Sequence, residues 1–155
     1  MNEMLVARLT VVAQLGALPV RLATLARAVA ELEAASGPPD GEWTPRVVVA
    51  HLVAVEGVVW QARLDTLGPD RPEPAWTWTE PGPIEDPSAA TLDGALALFE
   101  AGRALTLSRL EALDDDGWAK TWVHATFGRL DVAGLMRVAA DHDDEHLAAL
   151  EARSG

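Results

Sequence analysis

Apolar residues recur every three or four positions along four long stretches of this chain. This spacing is the period of an amphipathic α-helix, in which residues three and four apart share one face. Residues typical of helix starts precede the later stretches: Thr44 comes before Pro45, and Ser88 and Asp131 are suitable N-caps. The sequence therefore predicts four helices, over about residues 3–35, 45–67, 88–113 and 132–153.

The first helix is predicted to carry an inward stripe that includes Leu5, Leu9, Leu15 and Leu32. Pro19 lies in the middle of the same helix. Because proline has no amide hydrogen and its ring clashes with the preceding turn, Pro19 is expected to kink or divide this helix.

The segment 68–87, between the second and third helices, contains six Pro and two Gly, which preclude a regular helix. A connection of this length in a compact domain is typically a crossover, a lid or a disordered loop. Residues 118–130 are predicted to form a turn and an extended segment, and no segment shows the alternation of a major strand. We therefore predict one all-α domain over residues 1–155, a four-helix bundle with a long Pro-rich crossover between helices 2 and 3.

The chain has 12 basic and 24 acidic residues, a net charge of −12, and no basic run. Proteins bind nucleic acid largely by neutralising phosphates with Lys and Arg, so neither nucleic acid nor an anionic membrane surface is an expected partner. No run approaches the roughly 20 apolar residues that a membrane span needs, and the N-terminal segment lacks the basic start of a secretory signal. The expected location is the cytoplasm, without membrane contact.

The chain contains four histidines, and three of them fall on predicted inward stripes. His142 and His146 are four residues apart, so both rings lie on one face of the last helix, one turn apart. His51 replaces an apolar residue in the stripe of the second helix. Burying three imidazoles costs free energy unless they are coordinated or hydrogen bonded, and one divalent metal ion would satisfy all three. The chain has no Cys, so the available ligands are imidazole and carboxylate.

The type of metal follows from these ligands. Neutral imidazole suits zinc, nickel, copper and iron. Three protein ligands with one open position are typical of a catalytic zinc site rather than a structural one. The alternative is that the three residues are hydrogen-bonded histidines of the core, because a bare pair at this spacing is a weak signal.

The acidic residues between His142 and His146 indicate what such a site could do. In zinc peptidases with the HExxH pattern, a Glu follows the first His and acts as general base. Asp143 holds that position here, and its shorter side chain disfavours a peptidase. Glu145 is the predicted catalytic proton acceptor. A role for Glu145 in orienting or contacting the metal, and a merely solvated position, are the alternatives.

Three tryptophans, Trp60, Trp76 and Trp78, are predicted to wall a substrate pocket. The alternative is that they fill the core or anchor a loop, as tryptophan commonly does. Trp76 and Trp78 lie in the Pro-rich connection, where they indicate packing against the rest of the molecule.

Three separated segments resemble the DinB/YfiT-like superfamily. Residues 43–52 (WTPRVVVAHL) are similar to its W-S/T segment ending in His-Leu. Residues 124–130 (HATFGRL) are similar to its H-x-x-F-G approach to the last helix, and residues 140–147 (ADHDDEHL) to its A-x-H-D-x-x-H-L ending. The segments occur in the family's order, and the resemblance spans about residues 40–150.

The resemblance implies a four-helix bundle with a crossover and a metal ion held by three histidines, which correspond to His51, His142 and His146. His124 lies outside that ligand set and is expected to make a loop hydrogen bond. The family's known activities are thiol-dependent, namely bacillithiol-type S-transfer and mycothiol-dependent isomerisation. Homodimers are common in the family, and its DNA-damage name implies no DNA binding.

Two classes of function agree with these features. The first is a metal-dependent enzyme, a thiol S-transferase or a hydrolase, that uses zinc or nickel and acts on a small molecule. For S-transfer it would take a low-molecular-weight thiol as cosubstrate. The second is a non-catalytic bundle that binds a small molecule or a partner, with a structural or vacant histidine site. An exchangeable position on the metal discriminates the two.

Overall fold

The computed structural model describes residues 2–67 and 73–155. Within them the chain forms five helices, which are α1 (Glu3–Leu32), α2 (Pro45–Leu64), α3 (Leu92–Glu111), α4 (Asp115–Trp118) and α5 (Val132–Ala152). The four long helices are those that the sequence predicts, and the mostly helical fold is confirmed. The predicted ends of the first two, at residues 35 and 67, lie beyond the observed ends because both helices close in short turns.

Side-chain oxygens cap the long helices and explain where they begin. The oxygens of Thr44 and Asp131 each accept an amide hydrogen from three residues ahead, at 3.3 and 2.8 Å, as predicted. The third helix begins after Thr91 instead of Ser88. The reason is that Ser88 lies in a short 3₁₀ turn, where its amide donates to the Asp86 carboxylate.

α1 runs through Pro19 without interruption, so the predicted division of this helix is wrong. Its predicted stripe is also wrong in part, because Leu5, Leu9 and Leu32 are exposed. The buried residues of α1 are Val11, Leu15, Leu18, Leu22, Ala26 and Val29. Apolar residues occupy more than one face of α1, so their spacing alone does not select the buried face.

α2 changes from α-helix to π-helix at Glu56 and returns to α-helix at Ala62. Such wider turns are rare and occur frequently at functional sites. Three side chains of the π segment are buried, Glu56 at 2%, Val59 at 3% and Trp60 at 1% exposure. The segment therefore brings a carboxylate and an indole into the interior of the bundle.

A small three-stranded sheet corrects the all-α prediction. Its strands are β1 (Ala75–Trp76), β2 (Thr121–His124) and β3 (Gly128–Asp131). β1 pairs parallel to β2, and β2 pairs antiparallel to β3. The sheet ties the Pro-rich connection to the hairpin that precedes α5. The crossover itself stays a prediction, because residues 68–72 of that connection lie outside the described residues.

The buried apolar residues form two clusters, one around Trp60 and Trp122 and the other around Phe99 and Leu22. Two buried charged residues, Arg103 and Asp143, fall between the two clusters along their helices, and a third, Glu56, pairs with Arg103. The bundle therefore has two apolar layers with a charged layer between them.

Two helices, α1 and α2, are long and apolar enough to cross a membrane by length and composition, each with a mean hydropathy of 1.5 over its most apolar window. This corrects the expectation that no run approaches that length. Helices in the core of a soluble bundle meet the same criteria, and 61% of the window in α2 and 28% of that in α1 is buried. The absence of membrane contact stays a prediction.

Candidate metal centre

Three histidines and one glutamate converge at one side of the bundle. His51 comes from α2, His142 and His146 come from α5, and Glu80 comes from the connection after β1. Each offers one ligand atom, and these four atoms all lie within 4.8 Å of one another. The three predicted metal ligands are therefore brought together, and the structure adds a carboxylate to them.

His51 is completely buried, and its two ring nitrogens have different surroundings. Nδ1 lies 2.8 Å from the carbonyl oxygen of Pro81, which can only accept, so Nδ1 carries the hydrogen. In the neutral ring Nε2 is then an unprotonated acceptor. Nε2 is 2.9 Å from Glu80 Oε1 but makes no hydrogen bond to any described residue. The result is a buried lone pair that faces a carboxylate.

The rings on α5 approach the same carboxylate. His142 Nε2 lies 3.2 Å and His146 Nε2 3.9 Å from Glu80 Oε1. The centroids of these two rings are 4.8 Å apart, as expected for neighbours one helical turn apart. Trp78 Nε1 donates to the second oxygen of Glu80 at 3.0 Å and so holds its carboxylate toward the histidines.

The surroundings shift the pKa values of His146, His142 and Glu80 in different directions. Burial, together with repulsion from His142 and His51, lowers the pKa of His146 to about 4. Burial also acts to lower the pKa of His142, but its hydrogen bonds to Asp143 and Glu80 outweigh burial and raise the pKa. For Glu80, burial acts to raise the pKa, and the hydrogen bonds from His142 and Trp78 outweigh it, so the pKa is lowered. An ionised carboxylate and at least one neutral imidazole therefore meet at neutral pH.

This donor set fits a divalent transition metal. Zinc, nickel and related ions take imidazole nitrogen and carboxylate oxygen as ligands. The unpaired Nε2 of buried His51 is the observation that an ion would explain, because a buried acceptor without a partner costs about 1–3 kcal/mol. The hydrogen bond from His51 Nδ1 to the Pro81 carbonyl is the outer contact that orients metal-binding histidines.

The structure places the carboxylates differently from the sequence prediction. Glu145 is exposed and does not belong to the group of converging ligand atoms, although it lines a cavity next to His142. Its role as proton acceptor stays a prediction. Glu80 was missed because it lies in the irregular connection, where no helical or strand period relates it to a histidine.

A cavity of about 640 Å³ adjoins the centre. Its wall is largely apolar, with Trp78, Phe127, Leu130 and Val138, and Glu80 and His142 reach it from the centre. Of the three tryptophans predicted to wall a pocket, Trp78 lines this cavity. Trp60 and Trp76 are buried in the core cluster, where they support Trp78 from behind, with ring centroids 5.5 and 6.3 Å from it.

His124 makes the loop hydrogen bonds that the sequence analysis expects. Its Nδ1 accepts from the backbone amides of Thr126 at 2.9 Å and Phe127 at 3.2 Å, and so fixes the turn between β2 and β3. His124 does not belong to the group of converging ligand atoms. Burial and the nearby charge of Arg63 lower the pKa of His124, which agrees with a neutral ring.

Behind the centre lies a buried ion network that the sequence analysis missed. Arg103 donates to both oxygens of Glu56 at 2.9 Å and to Asp143 Oδ2 at 2.5 Å. Thr106 Oγ1 also donates to Glu56, at 2.7 Å. Burial acts to lower the pKa of Arg103, but the carboxylates of Glu56 and Asp143 outweigh it and raise the pKa, so the guanidinium stays charged. The apolar spacing of the helices does not place Glu56, Arg103 or Asp143 in the interior. The sequence therefore gives no signal for this network.

The comparisons with known proteins agree with this fold. The sequence profile of the DinB superfamily matches residues 14–150, and the chain belongs to that superfamily. A solved structure is also similar, that of YfiT from Bacillus subtilis, described as a probable metal-dependent hydrolase with an unusual four-helix bundle topology. It is 20% identical, with a TM-score of 0.72 over 95% of this chain and 85% of that chain, a likeness that shows the shared fold. No curated protein matches the chain.

Proposed function

We propose that this protein is a divalent-metal-dependent hydrolase of small, largely apolar molecules. Its ligands would be His51, His142, His146 and Glu80, and zinc or nickel the ion. The observation that carries the proposal is the buried Nε2 of His51, which faces the Glu80 carboxylate without a hydrogen bond. Acceptor atoms that converge in this way are stable when a cation lies among them.

Two observations support hydrolysis as the reaction, the cavity that adjoins the metal centre and the likeness to YfiT. The large apolar cavity next to His142 has room for a small substrate and places it beside the ligands. YfiT, which has the same fold, is described as a probable metal-dependent hydrolase. A metal ion bound at such a site would lower the pKa of water and polarise a carbonyl group.

The residues of this chain have separate parts in the proposal. Trp78 and Phe127 bind the apolar part of the substrate through their rings. Trp78 Nε1 also fixes Glu80. Glu145, at the rim of the same cavity, accepts the proton that leaves the attacking water.

Transfer to a low-molecular-weight thiol is the second reaction that the same centre could support, with the thiol in place of water as nucleophile. A thiol would have to come from a cosubstrate, because the chain has no Cys. A non-catalytic bundle that binds a small molecule is the remaining alternative.

The test is a panel of small aryl esters and amides, with zinc- or nickel-loaded protein, in the presence and absence of a small thiol. We expect turnover without thiol, loss of turnover in His146→Ala, and a decrease of about 100-fold in kcat for Glu145→Gln. Turnover only with thiol would replace hydrolysis by S-transfer. Full metal loading without turnover of any substrate, with or without thiol, would contradict an enzyme and favour the binding bundle.

A further inference from the structure

Asp143 connects the buried ion network to the metal centre. It is 1% exposed, and its two oxygens have different partners. Oδ2 accepts from Arg103 Nη2 at 2.5 Å, and Oδ1 lies 3.4 Å from Nδ1 of His142, the next residue in the chain. The other nitrogen of that ring, Nε2, faces Glu80.

We propose that Asp143 is a positioning residue of the metal centre, which fixes His142 as the tautomer with hydrogen on Nδ1 and a lone pair on Nε2. Both ring nitrogens of His142 face a carboxylate, which can only accept, with Nδ1 next to Asp143 and Nε2 next to Glu80. Asp143 is 1% exposed and is held by Arg103, whereas the Glu80 side chain is 49% exposed and is itself a proposed ligand, so Asp143 is the partner that keeps the hydrogen on Nδ1. The opposite nitrogen is then unprotonated and free to bind a cation. The inference rests on the proposed metal site, since it assigns Asp143 a part in preparing one of its ligands.

Arg103 holds Asp143 in this orientation. Its guanidinium is fixed from two other helices as well, by both oxygens of Glu56 on α2 and by the carbonyl oxygen of Leu15 on α1. Because these partners fix the planar guanidinium of Arg103, it cannot move with the Asp143 carboxylate if that carboxylate rotates. Asp143 therefore keeps Oδ2 on Arg103 and Oδ1 toward His142.

The outer partners of metal-binding histidines commonly act in this way, and their loss lowers metal affinity by about 10- to 100-fold. His51 has such a partner in the Pro81 carbonyl. Asp143 supplies the equivalent contact for His142. Unlike the Pro81 carbonyl, the Asp143 carboxylate is held in place by a buried charged group, the guanidinium of Arg103. The metal centre and the charged layer of the core are therefore one connected unit.

The variant Asp143→Asn separates this role from packing, because it keeps the shape of the side chain. Arg103 can only donate, so the amide oxygen must face Arg103 and the amide nitrogen must face His142. His142 Nδ1 then becomes the acceptor, and the hydrogen moves to Nε2. The expected signature in the metal-free protein is a change of the His142 tautomer, seen in long-range ¹H–¹⁵N spectra at about pH 9, above the usual imidazole pKa.

The matched control is Asp144→Asn, which removes the same charge one residue further along, at an exposed site paired with Arg21. We expect Asp143→Asn to weaken zinc binding by about 10- to 100-fold and the control to leave it unchanged. Equal zinc affinity in wild type and Asp143→Asn, at unchanged helix content, would overturn the proposal.

The spectrum of the wild-type protein gives a second test that does not depend on folding of the variant. His142 with its hydrogen on Nδ1 supports the proposal, and His142 with its hydrogen on Nε2 overturns it. This readout also separates the inference from the metal site. If the wild type binds no zinc, the proposed function fails, and the tautomer in the metal-free protein still decides whether Asp143 orients His142.

Discussion

Arg103 Nη1 on α3 donates to the carbonyl oxygen of Leu15 on α1 at 3.0 Å, and this is the carbonyl that the residue at position 19 would normally bond. Position 19 is proline, which has no amide hydrogen. The carbonyl that Pro19 leaves without a helical partner is thus satisfied by a buried guanidinium. This bond explains how α1 passes through Pro19 with that carbonyl still paired inside the bundle.

Replacing Arg103 tests how strongly the charged layer holds the bundle together. Arg103→Leu leaves two carboxylates and the Leu15 carbonyl without their donor, so we expect a loss of about 3–5 kcal/mol in the free energy of unfolding. Urea denaturation followed by circular dichroism measures it. Arg27→Leu is the control, because Arg27 pairs with Asp93 on the surface and its loss should cost less than about 1 kcal/mol. Equal losses in the two variants would contradict a buried network.

The tryptophans should separate into core and pocket by their effects. Trp60 is 1% exposed, so Trp60→Ala should lower the free energy of unfolding by about 3–5 kcal/mol. Trp78 lines the cavity, so Trp78→Ala should cost less than half as much and raise KM for a substrate of the proposed hydrolase by about tenfold. Trp78→Phe keeps an aromatic ring in the cavity, so its KM should be close to that of the wild type. An unchanged KM in Trp78→Ala would remove this residue from the substrate pocket.

His124 should affect folding and leave metal binding alone. His124→Ala removes the acceptor for two backbone amides of the β2–β3 turn, which should cost about 1–3 kcal/mol. His124→Asn offers an oxygen near the same place and should cost less. Thermal unfolding measures both, and zinc titration of His124→Asn should match the wild type. A loss of zinc affinity in His124→Asn, with the fold intact, would mean that the centre extends to the sheet.

Glu73 gives a prediction for the acid range. Its hydrogen bonds from Arg129 and Thr121 lower its pKa to about 2. The stabilisation is therefore complete above the usual carboxyl pKa of about 4.3 and is lost as the pH falls toward 2. We expect Arg129→Ala to return the pKa of Glu73 toward its usual value, as measured by the carboxyl ¹³C shift during titration. Arg27→Ala is the control, and an unchanged pKa in Arg129→Ala would show that this ion pair does not form in solution.

The sequence was sufficient for features that depend on local spacing. The four helices follow from the three- and four-residue period, and the convergence of His142 and His146 follows from one helical turn. His51 could be added because it interrupts an apolar stripe. The caps at Thr44 and Asp131 were also readable, since an N-cap depends on its own segment.

Features that depend on which segments meet in three dimensions could not be predicted. Glu80 reaches the histidines from an irregular connection, and its position is set by the Trp78 bond and by the packing of that segment. The peptidase pattern gives Asp143 no partner, whereas in the structure Asp143 pairs with Arg103 from another helix. The exposure of Leu5 shows the same limit, because an apolar residue is buried only where a neighbouring element covers it.

The proposed function depends on one metal ion held by His51, His142, His146 and Glu80. The most direct test is to titrate metal-free protein with zinc and nickel, with isothermal calorimetry for affinity and mass spectrometry for stoichiometry, on the wild type, His51→Ala, Glu80→Gln and the control His124→Asn. We expect one ion per chain in the wild type and the control, and an affinity lowered by more than about tenfold in the two ligand variants. No uptake by the wild type, or the same affinity in His51→Ala, would contradict the proposed site.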